Sequence, residues 1–199
     1  MDENKVIPLL PLRGMLVFPG MIINLDVGRD RSIKAVEAAM AIDRKILLVT
    51  QREAGTIEPN ENDLFTYGVI AEIKQLLKLP NGALRILVEG FTRAKIEAVR
   101  DNKDIYFEAE VQEVASIIDD SNEVEALKRM LIETFEQWIL ASKKITSEVL
   151  LTFKDQPDPG RIADMVAGYL TLGIDEQESV LAAINVKDRM NLLYSFLCK

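Results

Sequence analysis

Apolar and polar positions along this chain follow two different periods, and the change falls near residue 115. Before it, apolar residues come in short alternating or continuous runs of β type; after it, they recur every three or four residues. Residues 45–51 carry the compact run Ile46-Leu47-Leu48-Val49, which predicts a buried strand. Residues 67–78 and 83–91 flank Pro80-Asn81-Gly82. Asn-Gly between two apolar runs predicts a type I′ hairpin turn, because both residues tolerate positive φ, so 67–91 reads as one long hairpin. Residues 93–99 and 105–114 alternate, with Phe107, Ala109 and Val111 on one face and Glu108, Glu110 and Gln112 on the other. One short helix interrupts the strands at 31–40, where Ile33, Val36 and Met40 stand at helical spacing. Together these segments predict a curled sheet or partly open barrel.

From residue 116 the pattern is helical. Asn122 with Glu125 reads as a cap for a helix reaching about residue 144, with Leu127, Leu131, Phe135, Trp138 and Ile139 on one face. Further helices are expected at 146–154, 159–170, 175–184 and 187–198, the second of these started by Asp158 before Pro159. The expected architecture is α+β: a β-rich curled sheet with one short helix over 1–115, then an α-helical bundle over 116–199, with a hinge expected at 116–122. The last helix, with Met190, Leu193, Tyr194 and Leu197 at helical spacing, meets no Gly, Asn or Pro stop. This leads to the expectation that the chain is part of a longer protein.

The stretch 7–27 stands apart. Apolar residues crowd around Pro8, Pro11 and Pro19 with only Arg13 and Asp26 charged. Proline cannot donate to a ladder, so the run is expected to break into short extended pieces, leaving Met15, Leu16, Phe18, Met21 and Ile22 on or near loops. Methionine adapts to many apolar partners, which makes this loop a candidate binding surface; the plainer reading folds the same side chains inward to seal a barrel end.

Two blocks of residues carry a resemblance. Pro11-Leu12-Arg13, Val17-Phe18-Pro19 and Val27-Gly28-Arg29 lead into 32–40. Tyr67-Gly68-Val69-Ile70-Ala71-Glu72-Ile73, Lys78-Leu79-Pro80-Asn81-Gly82 and Val88-Glu89-Gly90-Phe91-Thr92-Arg93-Ala94 follow. In order and separation they resemble the N-terminal domain of bacterial Lon proteases, densest over 5–100 and more weakly to Lys199. The resemblance implies a domain without catalysis of its own, within a parent that is an ATP-dependent serine endopeptidase. In such a parent ATP and Mg belong to a following AAA+ module, and peptide cleavage to a Ser-Lys domain. It further implies recognition of unfolded or damaged proteins and help in organising a hexamer. Arg13 and Arg93 match family positions and are expected in ion pairs or turn contacts.

Composition agrees with a non-catalytic role. Histidine is absent, which removes the commonest general base and metal ligand. None of the ten glycines forms a phosphate or dinucleotide loop, so neither catalytic, cofactor-binding nor metal-ligating residues are expected in this chain. Asp119-Asp120 and the carboxylates of 58–63 read as solvated charge, and adjacent Ser142 and Lys143 point about 100° apart on a helix. The net charge of −8, with no basic half, argues against nucleic acid as principal ligand. The single cysteine, Cys198, the polar acidic start MDENKV and the lack of a spanning apolar run lead to the expectation of a cytoplasmic protein without membrane association.

The function expected is therefore substrate recognition for a Lon-type protease. The residues expected to bind substrate are Met15, Leu16, Phe18, Pro19, Met21 and Ile22, with Leu76, Leu77, Leu79 and Pro80 near the hairpin tip. Leu76 and Leu77 are adjacent, so on a strand they face opposite ways. Two other readings stay open: a stand-alone interaction module of the same fold without motor or protease, and a small hydrolase built on paired carboxylates.

Overall fold

The computed structural model describes residues 5–101, 105–118, 122–142 and 148–198. They form two compact units, Met1–Val114 and Ala115–Lys199. The fold is α+β.

In the first unit, six strands and one helix follow in the order β1 (Lys5–Leu12), β2 (Ile22–Val27), α1 (Asp30–Ile42), β3 (Lys45–Thr50), β4 (Tyr67–Lys78), β5 (Leu84–Asp101) and β6 (Phe107–Val114). The sheet order is β2-β5-β4-β3-β1-β6, and β6 also pairs with β5, which curls the sheet into an irregular ring. Among the described strands of this sheet, β1 and β3 are the pair that runs parallel. Register shifts at Ile70/Ala71, Ile73/Gln75 and Ile96/Ala98 mark where the long strands bend. In β3, Ile46 and Leu48 join one apolar cluster while Leu47 and Val49 join another, so both faces are buried and the apolar run is continuous. Helix α1 lays Val36 and Ala39 on the first cluster, with Ile33 and Met40 at its margin.

Three expectations change. Pro8 and Pro11 do not break the first run, since both lie within β1, whereas Pro19 lies in the loop before β2 as expected. Residues 5–8 pair only with β6 and 9–12 only with β3, so each half has an open edge, where a missing donor is tolerated. The segments read as 83–91 and 93–99 are one 18-residue strand. The hairpin turn is not type I′, because only Gly82 takes positive φ (84°). Gly82 N–H donates to Leu79 O (3.0 Å) and Ala83 N–H to Asn81 Oδ1 (3.1 Å), with Pro80 supplying the fixed φ of a turn's second position.

The second unit packs α2 (Asn122–Ser142), α3 (Val149–Lys154), α4 (Pro159–Tyr169), α5 (Ile174–Ala182) and α6 (Val186–Leu197). Asp158 caps α4, accepting from Gly160 N–H (2.8 Å) and Arg161 N–H (3.4 Å). Asn185 caps α6 in the same way through Lys187 N–H (2.9 Å). Asn122 is the first residue of α2 itself, not a residue preceding it. Phe135 stacks on Trp138 and meets Phe153, with centroids 5.8 and 5.2 Å apart. Ser116 and Ile117, expected in a hinge, are hydrogen-bonded within this unit: Ile117 N–H donates to Ile184 O and Ile117 O accepts from Val186 N–H (3.1 and 3.0 Å). Asp119-Asp120, Lys143 and the expected helix start at 146 lie outside the described residues.

A buried cation organises these helices. Arg189 is 0% exposed; its Nη1 lies 3.3 Å from Asp164 Oδ1, and its other nitrogens donate to Ala183 O (3.0 Å), Ser116 Oγ (3.1 Å) and Ile184 O (3.4 Å). It ties α4, α5 and the entering chain to α6. Removing one partner leaves a buried charge under-compensated, so Asp164→Ala is expected to destabilise this unit by roughly 3–5 kcal/mol. Urea unfolding followed by fluorescence of Trp138, the single tryptophan, measures it; an unchanged midpoint would show that the neutral acceptors suffice.

Candidate functional site

The loop between β1 and β2 is fastened by its backbone. Thr50 Oγ1 donates to Met15 O (2.8 Å), Gly20 N–H to Gly90 O (2.8 Å) and Gly90 N–H to Met21 O (2.9 Å). Position 90 has no room for a side chain: a Cβ there would lie 2.6 Å from Phe18 O. So fastened, the loop turns inward. Phe18 is 1% and Leu16 6% exposed: their side chains seal the sheet, as the plainer reading of this stretch has it, and do not form the binding surface for which they were candidates. Met15 and Met21 pack half-buried on the core, and Pro19 is half-buried. From this stretch only Ile22, 64% exposed, presents a large apolar side chain fully to solvent. At the hairpin, Leu76 turns toward the core and Leu77 outward at 59%, while Leu79 is half-buried and Pro80 exposed at the turn.

Ile22 and Leu77 share the outer face of β2, β5 and β4. Along β5, Arg85, Leu87 and Glu89 lie opposite Asp26, Asn24 and Ile22 of β2, and Leu77 and Gln75 of β4 lie opposite Arg85 and Leu87. A groove of about 470 Å³ crosses this face, lined by Asn24, Gln75, Leu76, Leu77, Arg85 and Leu87. Arg85 grips Asp26 through two hydrogen bonds, Nε to Oδ1 at 2.6 Å and Nη2 to Oδ2 at 2.9 Å. The guanidinium holds the Asp26 carboxyl below its ordinary pKa. Lys74 pairs with Glu72 and Glu89, each at 3.0 Å, and stands 5.1 Å over the ring of Phe91, which is 53% exposed. Charge on this face is thus closed into local pairs. What it offers a partner is Ile22, Leu77, Leu87 and Phe91.

Leu87 and Phe91 were not among the residues expected from sequence. The available signal was phase: Leu84, Ile86 and Val88 are buried and Arg85 and Glu89 are not, so Leu87 is an apolar residue on the polar phase of its strand.

The remaining polar groups have structural roles. Arg13 donates to Thr56 O (3.0 Å) and Ile57 O (3.3 Å), a turn contact, and Arg93 is buried. Among the carboxylates of 58–63, Asp63 accepts from Asn60 N–H (2.8 Å) in the cap of a single 3-10 turn. Among the described residues no group of three His, Cys, Asp or Glu is placed to hold a metal ion. Nor, among them, is any helix long and apolar enough to cross a membrane.

Comparison with known proteins places this arrangement. Residues 6–199 match the family model of the ATP-dependent protease La (LON) substrate-binding domain. The chain belongs to that family. It is 48% identical over 198 residues to a Lon protease of Desulforamulus reducens, covering 100% of this chain and 24% of that protein. It is 45% identical over 196 residues to the Lon protease of Escherichia coli K12, covering 98% and 25%. This Lon-family chain therefore spans about a quarter of the length of the relatives it matches. Its fold matches the N-terminal domain of Mycobacterium avium complex Lon protease, with TM-score 0.81, 23% identity and coverage of 98% of this chain and 99% of that one. The Lon N-terminal domain protein of Xanthomonas campestris follows with TM-score 0.69, 19% identity, and coverage of 96% and 98%.

Core and surface roles within the expected site separate by stability. Phe18→Ala is expected to cost roughly 3–5 kcal/mol, the range for emptying a buried aromatic site. Ile22→Ser and Leu77→Ser are expected to stay within about 0.5 kcal/mol. Urea-dependent amide exchange of Ile86 and Val88 reads both. Comparable losses in all three variants would contradict the placement of Ile22 and Leu77 on the surface.

Proposed function

We propose that this Lon substrate-binding domain captures exposed apolar segments of unfolded or damaged proteins on the outer face of β2, β5 and β4. The observation that carries this reading is the row Ile22, Leu87, Leu77 and Phe91, exposed or half-exposed beside charges already paired with one another. An unfolded client offers apolar side chains without fixed geometry. A receptor for it needs adaptable apolar surface, not a deep polar pocket. Each client Leu or Phe buried there would contribute about 1.5–3 kcal/mol before ordering costs, so a single domain binds weakly.

The reading extends to a parent protease of the cytoplasm. In it, ATP with Mg drives unfolding in an AAA+ module and a serine peptidase module cleaves, both in segments other than this one. A homohexamer would set six such domains side by side. Weak capture then becomes retention through effective concentration.

The test is an NMR titration of the isotope-labelled chain with reduced, carboxymethylated α-lactalbumin, and with native α-lactalbumin as control. Shifts are expected at Ile22, Leu77, Leu87 and Phe91 with the unfolded form alone, and Leu77→Ser with Phe91→Ser is expected to weaken binding by about tenfold or more. Equal shifts with both forms, or none with either, would overturn the proposal.

A further inference from the structure

The same strand that contributes Ile22 also ends the sheet. β2 pairs with β5 on one side, and among the described residues no strand lies on its other side. Gly90 N–H donates to Met21 O, and the register from Ile22↔Glu89 to Val27↔Leu84 is unbroken. In an antiparallel ladder hydrogen-bonded and non-hydrogen-bonded pairs alternate, so the backbone groups of Ile22, Asn24 and Asp26 point away from β5, along the open edge. All three residues are exposed.

That edge does not border bulk solvent alone. A cavity of about 360 Å³ lies between it and residues 10–13, and its apolar lining is Leu10, Pro11, Leu12, Met15, Leu25 and Val27. Four of these are buried core residues, so the cavity reaches the core through a gap in the ring. Opposite β2 stands the half of β1 that β6 leaves unpaired. There the Pro11 carbonyl already accepts from Arg29 Nη2 (2.7 Å), so β2 is the side with open backbone groups.

Resting on the capture proposed above, we infer that β2 takes an extended client segment as an added strand. The client's backbone pairs with the outward N–H and C=O groups of Ile22, Asn24 and Asp26, and an apolar client side chain enters the cavity beside Leu12, Met15 and Leu25. A row of donors and acceptors at strand spacing is complementary to extended backbone. A folded surface seldom offers that, and an unfolded chain of almost any sequence does. Backbone pairing supplies contact without sequence preference; the cavity selects an apolar residue at one position.

Two experiments on the 199-residue chain decide it. The first is amide exchange with and without reduced, carboxymethylated α-lactalbumin, in which the Asn24 and Asp26 amides are expected to slow by about tenfold or more. The second uses an eight-residue peptide of alternating valine and threonine with lysine ends. N-methylation of every second residue is expected to abolish binding in one phase and spare it in the other; in wild type and Asn24→Pro alike the side chains presented by the peptide are unchanged. Asn24→Pro, which removes one outward donor at an edge where proline is tolerated, is expected to weaken the unmodified peptide by about tenfold. Client binding with shifts at Leu77 and Phe91 but no slowing at Asn24 and Asp26, or equal binding of both methylation phases, would overturn strand addition and leave capture standing. No client binding at all would overturn both. Slowing already present in the chain alone, together with a doubled mass in sedimentation, would overturn the inference in favour of β2 pairing with a second copy.

Discussion

The β-rich unit depends on one strand serving three neighbours. β5 pairs with β2 through 84–89, with β4 through 84–95 and with β6 through 93–101, so the ring closes only if one continuous 18-residue strand bends between its partners. Straight strands of that length twist too far to close so small a sheet, and the bulges near Ile70, Ile73 and Ile96 supply the bend. Gly90 sits at the middle of β5, where the incoming loop crosses within 2.6 Å of the space its side chain would take. The inward turn of Phe18, the start of β2 and the exposure of Ile22 all follow from that crossing.

Closure also explains why one face of this sheet is available. Where it pairs with β2, β5 has one phase committed to the core, through Leu84, Ile86 and Val88, and the other left outside. An outside phase must stay soluble. The chain achieves this with the Asp26–Arg85 and Lys74–Glu89 pairs, which satisfy each other and leave Leu87 between them. Such exposed pairs add little to stability. Their effect is local: this face presents paired charges and apolar side chains, not a field of one sign.

What could be read in the sequence was whatever depends on period and end signals. Ile46–Val49 as a buried strand, the helical spacing of Val36 and Met40, and Asp158 before Pro159 all stand as expected, because each is decided by neighbours within a few residues. The failures are tertiary. Proline argued against Pro8 and Pro11 in one strand, and only the division of β1 between two partners makes them acceptable. Phe18 lies in a loop by every local signal, yet Gly90, some seventy positions away, pulls that loop inward. Asn81-Gly82 marked the turn but not its type, since Pro80 presets a different geometry. Arg189 gave no sign in the sequence that it would be wholly buried, because two of its acceptors, Asp164 and Ser116, come from α4 and from the entering chain, far from it in sequence. Of the candidate site, strand alternation made legible that Leu76 and Leu77 face opposite ways but not which of them is exposed; Ile22 was read only as lying on or near a loop, and Leu87 was visible only once its phase was known.

An open strand edge beside apolar surface is the arrangement that soluble proteins ordinarily suppress, since it invites one copy to pair with another. β2 keeps the edge but limits it. It is six residues long, Asn24 and Asp26 occupy its outward positions, and Asp26 is held by Arg85 across the ladder. Those features cap how much backbone any partner can engage, whether a client or another copy. If the domain captures clients as proposed, the same cap serves release, because a client gripped along a long apolar edge would not be let go. Under the proposed capture, the short, polar-fronted edge and the shallow apolar face would be two answers to one requirement: contact that any unfolded chain can make, and that no single domain makes strongly.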